Sequence, residues 1–466
     1  MRIFRSKFFK KSLIAISANL LSMIASIFLS LVLPNFVSVE DYGYWQLFIL
    51  YSSYVGFLHF GFCDGLYLKY GGYDFSKLDA SEIYSLFLLY ESVQIIFSLF
   101  LILGSHLIVS DPNYRLVCIS LGVYLFVANT NVFLSYILLA TDQIYIYSRA
   151  LATARLLLLF GSIFIILCPV HNKIFSIIQL YILAFFVELF ILIKNYIKLF
   201  RTSKLIFRID WNLIRLLTGS GFVLMFSNIL ATLMIGSGRM IVEQFWNIEI
   251  FAKLSLAVSI SMFFLTFVSS IGYVIFPMFK KIGLENAGTL IHKADFIIGF
   301  VMMIVSFSII PLTYLIENYL PKYIESVQFI IYLLPTCLYL TKSQVLYTAF
   351  YKSINKQSNL LLINLTSFCV VISLYTFFAI NHMLSGIALS MLIGAFIRYS
   401  LLKFRVDKLI NHLNLNYYIT EIIFAITYIV LYIYLPVQCF SILLVLFILI
   451  YFFINKNTFV SMLRVK

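Results

Sequence analysis

The chain has 466 residues, 62% hydrophobic and only 11% charged, with 33 Lys and Arg against 19 Asp and Glu. Soluble chains carry about 25% charged residues, so there are too few polar groups here to cover a water-facing surface, and a soluble enzyme is excluded. The net charge of +14 is split into short clusters between apolar runs, which is not the continuous basic footprint that nucleic acid requires.

A bilayer core of ~30 Å takes roughly 20 apolar residues per helix. Runs of that kind fall at 12–33, 44–68, 83–109, 116–140, 147–168, 174–193, 219–241, 252–276, 294–316, 324–350, 358–380, 384–402, 417–435 and 438–455. They predict an all-α integral membrane protein with about fourteen transmembrane helices and short loops. The first run follows a basic leader, Met1–Lys11, and lacks a small-residue cleavage site, so it is expected to stay in place as a span. The last two spans are separated only by Pro436-Val437.

Lys and Arg mark the cytoplasmic side of a membrane protein. With the N-terminus inside, the inner segments hold clusters such as Lys7-Lys10-Lys11, Lys194–Arg215, Lys280-Lys281-Lys293 and Lys403-Arg405-Lys408; the outer segments hold only Arg115, Lys173, Lys253 and Lys322. A wrong helix count would swap the sides downstream, so both termini are expected in the cytoplasm. The six cysteines (Cys63, Cys118, Cys168, Cys337, Cys369, Cys439) show no CxxC spacing and read as small buried hydrophobes.

The longest loop, Lys194–Thr218, is inner and basic. Within it Leu205–Leu217 has apolar residues at helical spacing around Arg208 and Arg215, the pattern of a short amphipathic helix on an anionic leaflet; a plain connector is the alternative. The loop divides the chain into a six-helix bundle over 1–200, a linker over 201–218, a second six-helix bundle over 219–405 and a C-terminal helix pair over 406–466. The two bundles align without gaps at an offset of 209: Ala18-Asn19-Leu20-Leu21 matches Ser227-Asn228-Ile229-Leu230, and Glu40 matches Glu249. Repeats of equal orientation belong to transporters that rock two bundles about a central site.

Charges inside a span are costly and are functional candidates by default. Arg155 lies about eight residues inside helix five, so ~12 Å from its end. Glu91 lies at similar depth in helix three on a stripe with Gln94, Ser98 and Ser105, and Lys342 lies comparably deep in helix ten. Asp64 and Glu188 are nearer the inner ends of helices two and six; Arg239 is near the outer end of helix seven, on a stripe with Asn228; Asn19 is on a Ser-rich face of helix one. Arg155, Lys342, Arg239, Asn19 and Asn228 are the candidate substrate-binding residues, with Arg suited to phosphate by its two-pronged donor geometry. Glu91, Asp64 and Glu188 are the candidate ion-coupling residues. The competing readings are a structural Arg155–Glu91 ion pair, Asp64 and Glu188 snorkelling to the interface, polar helix-packing contacts, and packing roles for His59 and His106. No HExxH, GxSxG or GxxxxGK[ST] motif is present, so no catalytic residue, metal or cofactor is expected. Gly71-Gly72 reads as a turn, and Gly236-Ser237-Gly238 as a point of bending or close packing.

The segment Leu33–Tyr44 resembles the pattern P-x-x-[LV]-S-x-E-[ED]-[YF]-G found after the first helix of polysaccharide flippases (Wzx-type O-antigen and capsule-repeat translocases). Gly238–Phe245 with Glu249, Val274–Lys280, and Leu320–Ile324 with Leu333-Leu334-Pro335 follow in matching order. The group belongs to the multidrug/oligosaccharidyl-lipid/polysaccharide exporter superfamily. The resemblance implies a flippase that moves undecaprenyl-pyrophosphate-linked oligosaccharide repeat units from the inner to the outer leaflet of the bacterial cytoplasmic (inner) membrane by alternating access. It implies membrane lipids as surroundings, a polysaccharide polymerase and a chain-length regulator as further partners, and no nucleic acid. An ion-coupled drug exporter of the same fold is the first rival, and an O-antigen polymerase or ligase is the second. The short outer loops speak against the second rival.

Overall fold

A computed structural model describes residues 2–200, 206–354, 356–410 and 415–454. In lipid every backbone polar group needs an internal partner, which leaves helices as the form these apolar runs can take. The helices are α1 (Arg2–Leu31), α2 (Val39–Val55), α3 (Phe62–Tyr70), α4 (Ala80–Ile108), α5 (Pro112–Ala140), α6 (Ile144–Leu167), α7 (Lys173–Phe200) and α8 (Trp211–Phe245), then α9 (Ile248–Val305), α10 (Ile309–Tyr319), α11 (Val327–Thr341), α12 (Ala349–Ser353), α13 (Gln357–Ile380), α14 (Leu384–Leu409), α15 (Leu415–Tyr434) and α16 (Val437–Ile454). No strand occurs among the described residues. Eleven stretches are long and apolar enough to cross a bilayer, α2 and α3 form a bent twelfth, and two shorter apolar helices lie at the C-terminus. The architecture is the expected one.

Helix starts are set by short polar caps whose oxygens satisfy the first free amides. Asp79 accepts from Ser81 N at 2.9 Å, Asp111 from Asn113 N at 2.8 Å, and Asp210 from Asn212 N at 2.9 Å. Two further caps carry the repeat. Ser38 accepts from Asp41 N at 3.0 Å at the start of α2, and Asn247 accepts from Ile250 N at 2.8 Å at the start of α9. Both members of the second pair follow the first by the offset of 209 read from sequence. So do the first residues of α1 and α8 (Arg2, Trp211) and the prolines Pro112 and Pro321 that open the fourth and tenth spans.

By contacts the chain forms two compact units, Met1–Ile229 and Leu230–Lys466. In the first, the predicted single span at 44–68 is broken: α2 and α3 meet at 60°. Phe60 (φ +47°) and Gly61 (φ +78°) are both left-handed there, a region that glycine enters freely and a ring-bearing residue does not. The break frees carbonyls, and side chains from neighbouring helices take them. Asn129 donates to Val55 O at 3.1 Å and Gln94 to Leu58 O at 3.3 Å, while His59 Nδ1 accepts from Gly61 N at 3.0 Å. Gly61 and Gly65 also let α3 cross the first turns of α8 backbone to backbone; a Cβ at Gly61, Gly65 or Gly221 would run into main-chain atoms of the other helix.

α8 begins at Trp211 and continues through its span. The run Leu205–Leu217 is therefore not a separate surface helix. Residues 206–210 are non-helical, 211–217 are the first turns of α8, and 201–205 lie outside the described residues. The turn expected at Gly71-Gly72 is present, with Gly72 at φ +90° and its N–H donating to Ala140 O at 3.0 Å. The expected close packing at Gly238 is also present, against Tyr375 and Met391.

In the second unit α9 holds two predicted spans in one helix that folds back. Ser326 reaches Lys253 O and Cys337 reaches Ser261 O, yet Phe279 packs on Phe350 while Asp295, sixteen residues later, bonds Tyr347. Apart from Phe279, the side chains of the Val274–Lys280 motif lie outside the described residues. The tenth span runs Pro321–Ser353 and contains a π-helical turn at Lys342–Thr348, an irregularity that recurs at functional positions.

Candidate functional site

The first unit places Arg155 on α6 against α7. Its guanidinium lies 5.0 Å from the Phe185 ring centre and 5.9 Å from that of Tyr181, a geometry in which an aromatic face attracts a cation. Tyr181 in turn packs on Trp45, Phe48 and Tyr124. Arg155 is half-buried and its Nε has no partner. The expected alternative pair with Glu91 does not form. Glu188, one turn beyond Phe185, is the carboxylate whose field reaches Arg155, and its Oε2 is also without a partner. Glu188 is buried at 5% exposure, so it does not snorkel out. A guanidinium with a spare donor over aromatic faces suits an anionic, ring-bearing ligand.

Glu91 on α4 is buried and bonded to Thr130 of α5 at 2.8 Å. The stripe with Gln94 and Ser98 is real. Gln94 accepts from Asn129 at 2.6 Å and Ser98 donates to Gly122 O at 2.7 Å, so its polar groups hold α4, α5 and the break in the second span together. Asp64 is also buried rather than snorkelled, with His59 Nε2 3.7 Å away; His59 itself caps the break through Gly61 N. Asn19 is exposed on α1 and Asn228 half-buried on α8.

The second unit treats its expected cations differently. Lys342 is fully buried, 3.0 Å from Asp295 and in contact with Glu421 of α15. Lys403 of α14 binds the other oxygen of Asp295 at 3.1 Å and lies 3.9 Å from Asp407. Tyr347 and Tyr399 donate to Asp295 and Glu421 at 3.1 and 2.8 Å. Lys403–Asp295–Lys342–Glu421 is thus a chain of alternating charge, and the Lys342 ammonium is taken up within it. Glu421 fastens α15 into the unit. Arg239 is buried, with Nε donating to Ser255 at 3.0 Å and its guanidinium 5.5 Å from the Phe251 ring. Arg398 is buried at 1% exposure on Asn364 Oδ1 at 2.8 Å, with Nη1 unpartnered. Sequence reasoning missed Asp295, Arg398, Lys403 and Glu421. Arg398 and Glu421 are charges inside predicted spans, and the rule that selected Arg155 applies to both.

These features define a class, a multi-pass membrane protein with the fold of the MOP-superfamily transporters. The lipid II flippase MurJ, in an inward closed conformation, superposes with a TM-score of 0.69 at 14% identity over 98% of this chain and 99% of MurJ. An inward-facing multidrug resistance MATE family transporter of the MOP superfamily gives 0.63 at 13% identity over 85% of this chain and 98% of its own. The MATE transporter VcmN of Vibrio cholerae gives 0.58 at 14% identity, with coverages of 89% and 98%. At these identities the likeness is one of fold. No family model and no curated protein matches the sequence.

Proposed function

We propose that this protein is a flippase for undecaprenyl-pyrophosphate-linked oligosaccharide repeat units. It works by alternating access in the bacterial cytoplasmic membrane, with both termini in the cytoplasm, and serves O-antigen or capsule synthesis alongside a polymerase and a chain-length regulator. The observation that carries this reading is the end-to-end likeness to the lipid II flippase, whose match spans 98% of the chain where the first MATE match spans 85%. Arg155 supports it as an intramembrane guanidinium with a spare donor. In this reading Arg155 neutralises pyrophosphate and the Tyr181 and Phe185 rings take a sugar face. Lys342 holds the second unit together, and Arg239 anchors the outer end of its helix. The segments 1–200 and 219–405 are the two moving bundles.

Deletion of the gene followed by analysis of lipid-linked intermediates tests it. Undecaprenyl-pyrophosphate repeat units should accumulate on the inner leaflet; their absence would refute the cargo. The second reading, a small-molecule exporter of the same fold, draws on the MATE likeness and on Glu188 as an acid beside an aromatic face. It predicts raised drug sensitivity on deletion with surface polysaccharide intact.

A further inference from the structure

Glu91 presents a proton-counting problem. Its Oε2 lies 2.8 Å from Thr130 Oγ1, and the same hydroxyl lies 2.7 Å from Phe126 O, its partner one helical turn back. A hydroxyl has one hydrogen. If it serves the Phe126 carbonyl, the contact to Glu91 needs a hydrogen from the other side. A carboxylate here would have a shared donor at Oε2, nothing at Oε1, and no basic partner among the described residues. A buried charge so poorly matched is strongly disfavoured. A neutral carboxylic acid satisfies both contacts at this end and leaves Oε1 uncharged: Glu91 donates to Thr130, and Thr130 donates to Phe126.

We propose that Glu91 is a proton-binding site, occupied in this conformation, whose occupancy controls the clamp on the break in the second span. The connection is local. Gln94 is one turn along α4 from Glu91, and Asn129 precedes Thr130 on α5. These two amides hold the freed carbonyls of Leu58 and Val55 and bond each other. When Glu91 loses its proton, Thr130 turns its hydroxyl from Phe126 to the new carboxylate, which still needs a second donor. The nearby amide donors are those of Gln94 and Asn129. Asn129 already gives both of its hydrogens, to Val55 O and Gln94 Oε1, and Gln94 must turn the amide that holds Leu58 O, so recruiting either one disturbs the clamp. Cys63 of α3 and Tyr90 of α4 both feel the charge of Glu91, and neither is a base. Broken spans of this kind are where transporters place coupling ions. The presence of the proton stands on the geometry alone; its use in transport rests on the flippase reading.

Infrared difference spectroscopy of the full-length protein in lipid nanodiscs tests the site without any cargo. Wild type should show a protonated carboxyl stretch that titrates away as pH is raised. Glu91→Gln should lose one carboxyl's worth of that band. An unchanged band would overturn the proposal. Should Glu91→Gln fail to fold, Thr130→Val provides the second arm: the band should keep its area and shift in frequency because the acceptor is gone, and an unshifted band is equally fatal. The link to the break is read by alkylation of Cys63, which is fully buried beside it. Relative to Glu91→Gln, wild type should gain reactivity as pH rises; identical pH profiles would sink the coupling. None of these readouts uses cargo, so they fail or succeed independently of the assigned substrate.

Discussion

The ammonium of Lys342, in the π-helical turn of the tenth span, lies against the carboxylate of Glu421 in α15, and both side chains are wholly shielded from solvent. Asp295 approaches the same ammonium at 3.0 Å. Removing one member of such a pair leaves an uncompensated buried charge, which costs about 3–5 kcal/mol. Glu421→Ala should therefore lower the unfolding temperature in detergent markedly. The double variant Lys342→Met with Glu421→Leu should recover much of the loss, though Asp295 keeps Lys403 as its partner. A double-mutant cycle by thermal unfolding measures this; additive losses would show that the two groups do not interact.

Gly61, Gly65 and Gly221 let α3 meet α8 at backbone distance. Overpacking of this kind costs about 1–3 kcal/mol, and at Gly61 the left-handed backbone adds its own penalty. Gly221→Leu should reduce the yield of monodisperse protein sharply, while Gly219→Leu, where a Cβ meets open space, should not. Fluorescence-detected size exclusion compares the two.

Arg398 binds Asn364 and lies 3.5 Å from Thr348, with no acid in ion-pair contact among the described residues. Its burial already costs stability, so Arg398→Met combined with Asn364→Leu should be neutral or stabilising, in line with hydrophobic replacement of buried charge elsewhere. Asn364→Leu alone strips the guanidinium of an acceptor and should cost about 2–3 kcal/mol. Thermal shifts of the two variants decide it, and a strongly destabilised double variant would show that the charge has a further partner.

Asp111 lies outside the spans, at the start of α5. Burial tends to raise its carboxyl, but the Tyr44 hydroxyl at 2.8 Å and the amides of Tyr114 and Asn113 outweigh it and hold the group below the usual carboxylate value. The stabilisation this gives is full above the unfolded value of about 3.9 and is lost as pH falls through the lower folded value. Asp111→Asn should therefore flatten the loss of stability at acid pH relative to wild type. Unfolding temperatures measured across that range provide the comparison.

On the proposed flippase reading, Arg155→Ala and Arg155→Lys should both impair export of surface polysaccharide by roughly tenfold or more in correctly inserted protein. Lysine keeps the charge but loses the planar fork and its stacking on Phe185. Wild-type polysaccharide in both variants would return Arg155 to a packing role.

Much of the body was legible in one dimension. Apolar runs set the spans, because lipid leaves a segment of this length few alternatives to a helix. The offset of 209 found the repeat, and Ser38 and Asn247 show why: each half starts its second span with the same kind of cap. The positions of Arg155 and Glu91 well inside α6 and α4 were legible too, since they follow from the apolar runs.

What partners those charges have was decided only in three dimensions. Arg155 lies over the Tyr181 and Phe185 rings, not against Glu91, because helix rotation rather than depth selects a neighbour. Lys342 is joined by Asp295, Glu421 and Lys403, which lie 47, 79 and 61 positions away in sequence; local patterning carries no information at such separations. The break at Phe60-Gly61 depends on donors from Gln94 and Asn129 on other helices. Periodicity therefore determined how the chain crosses the membrane, and packing decided which charges meet inside it.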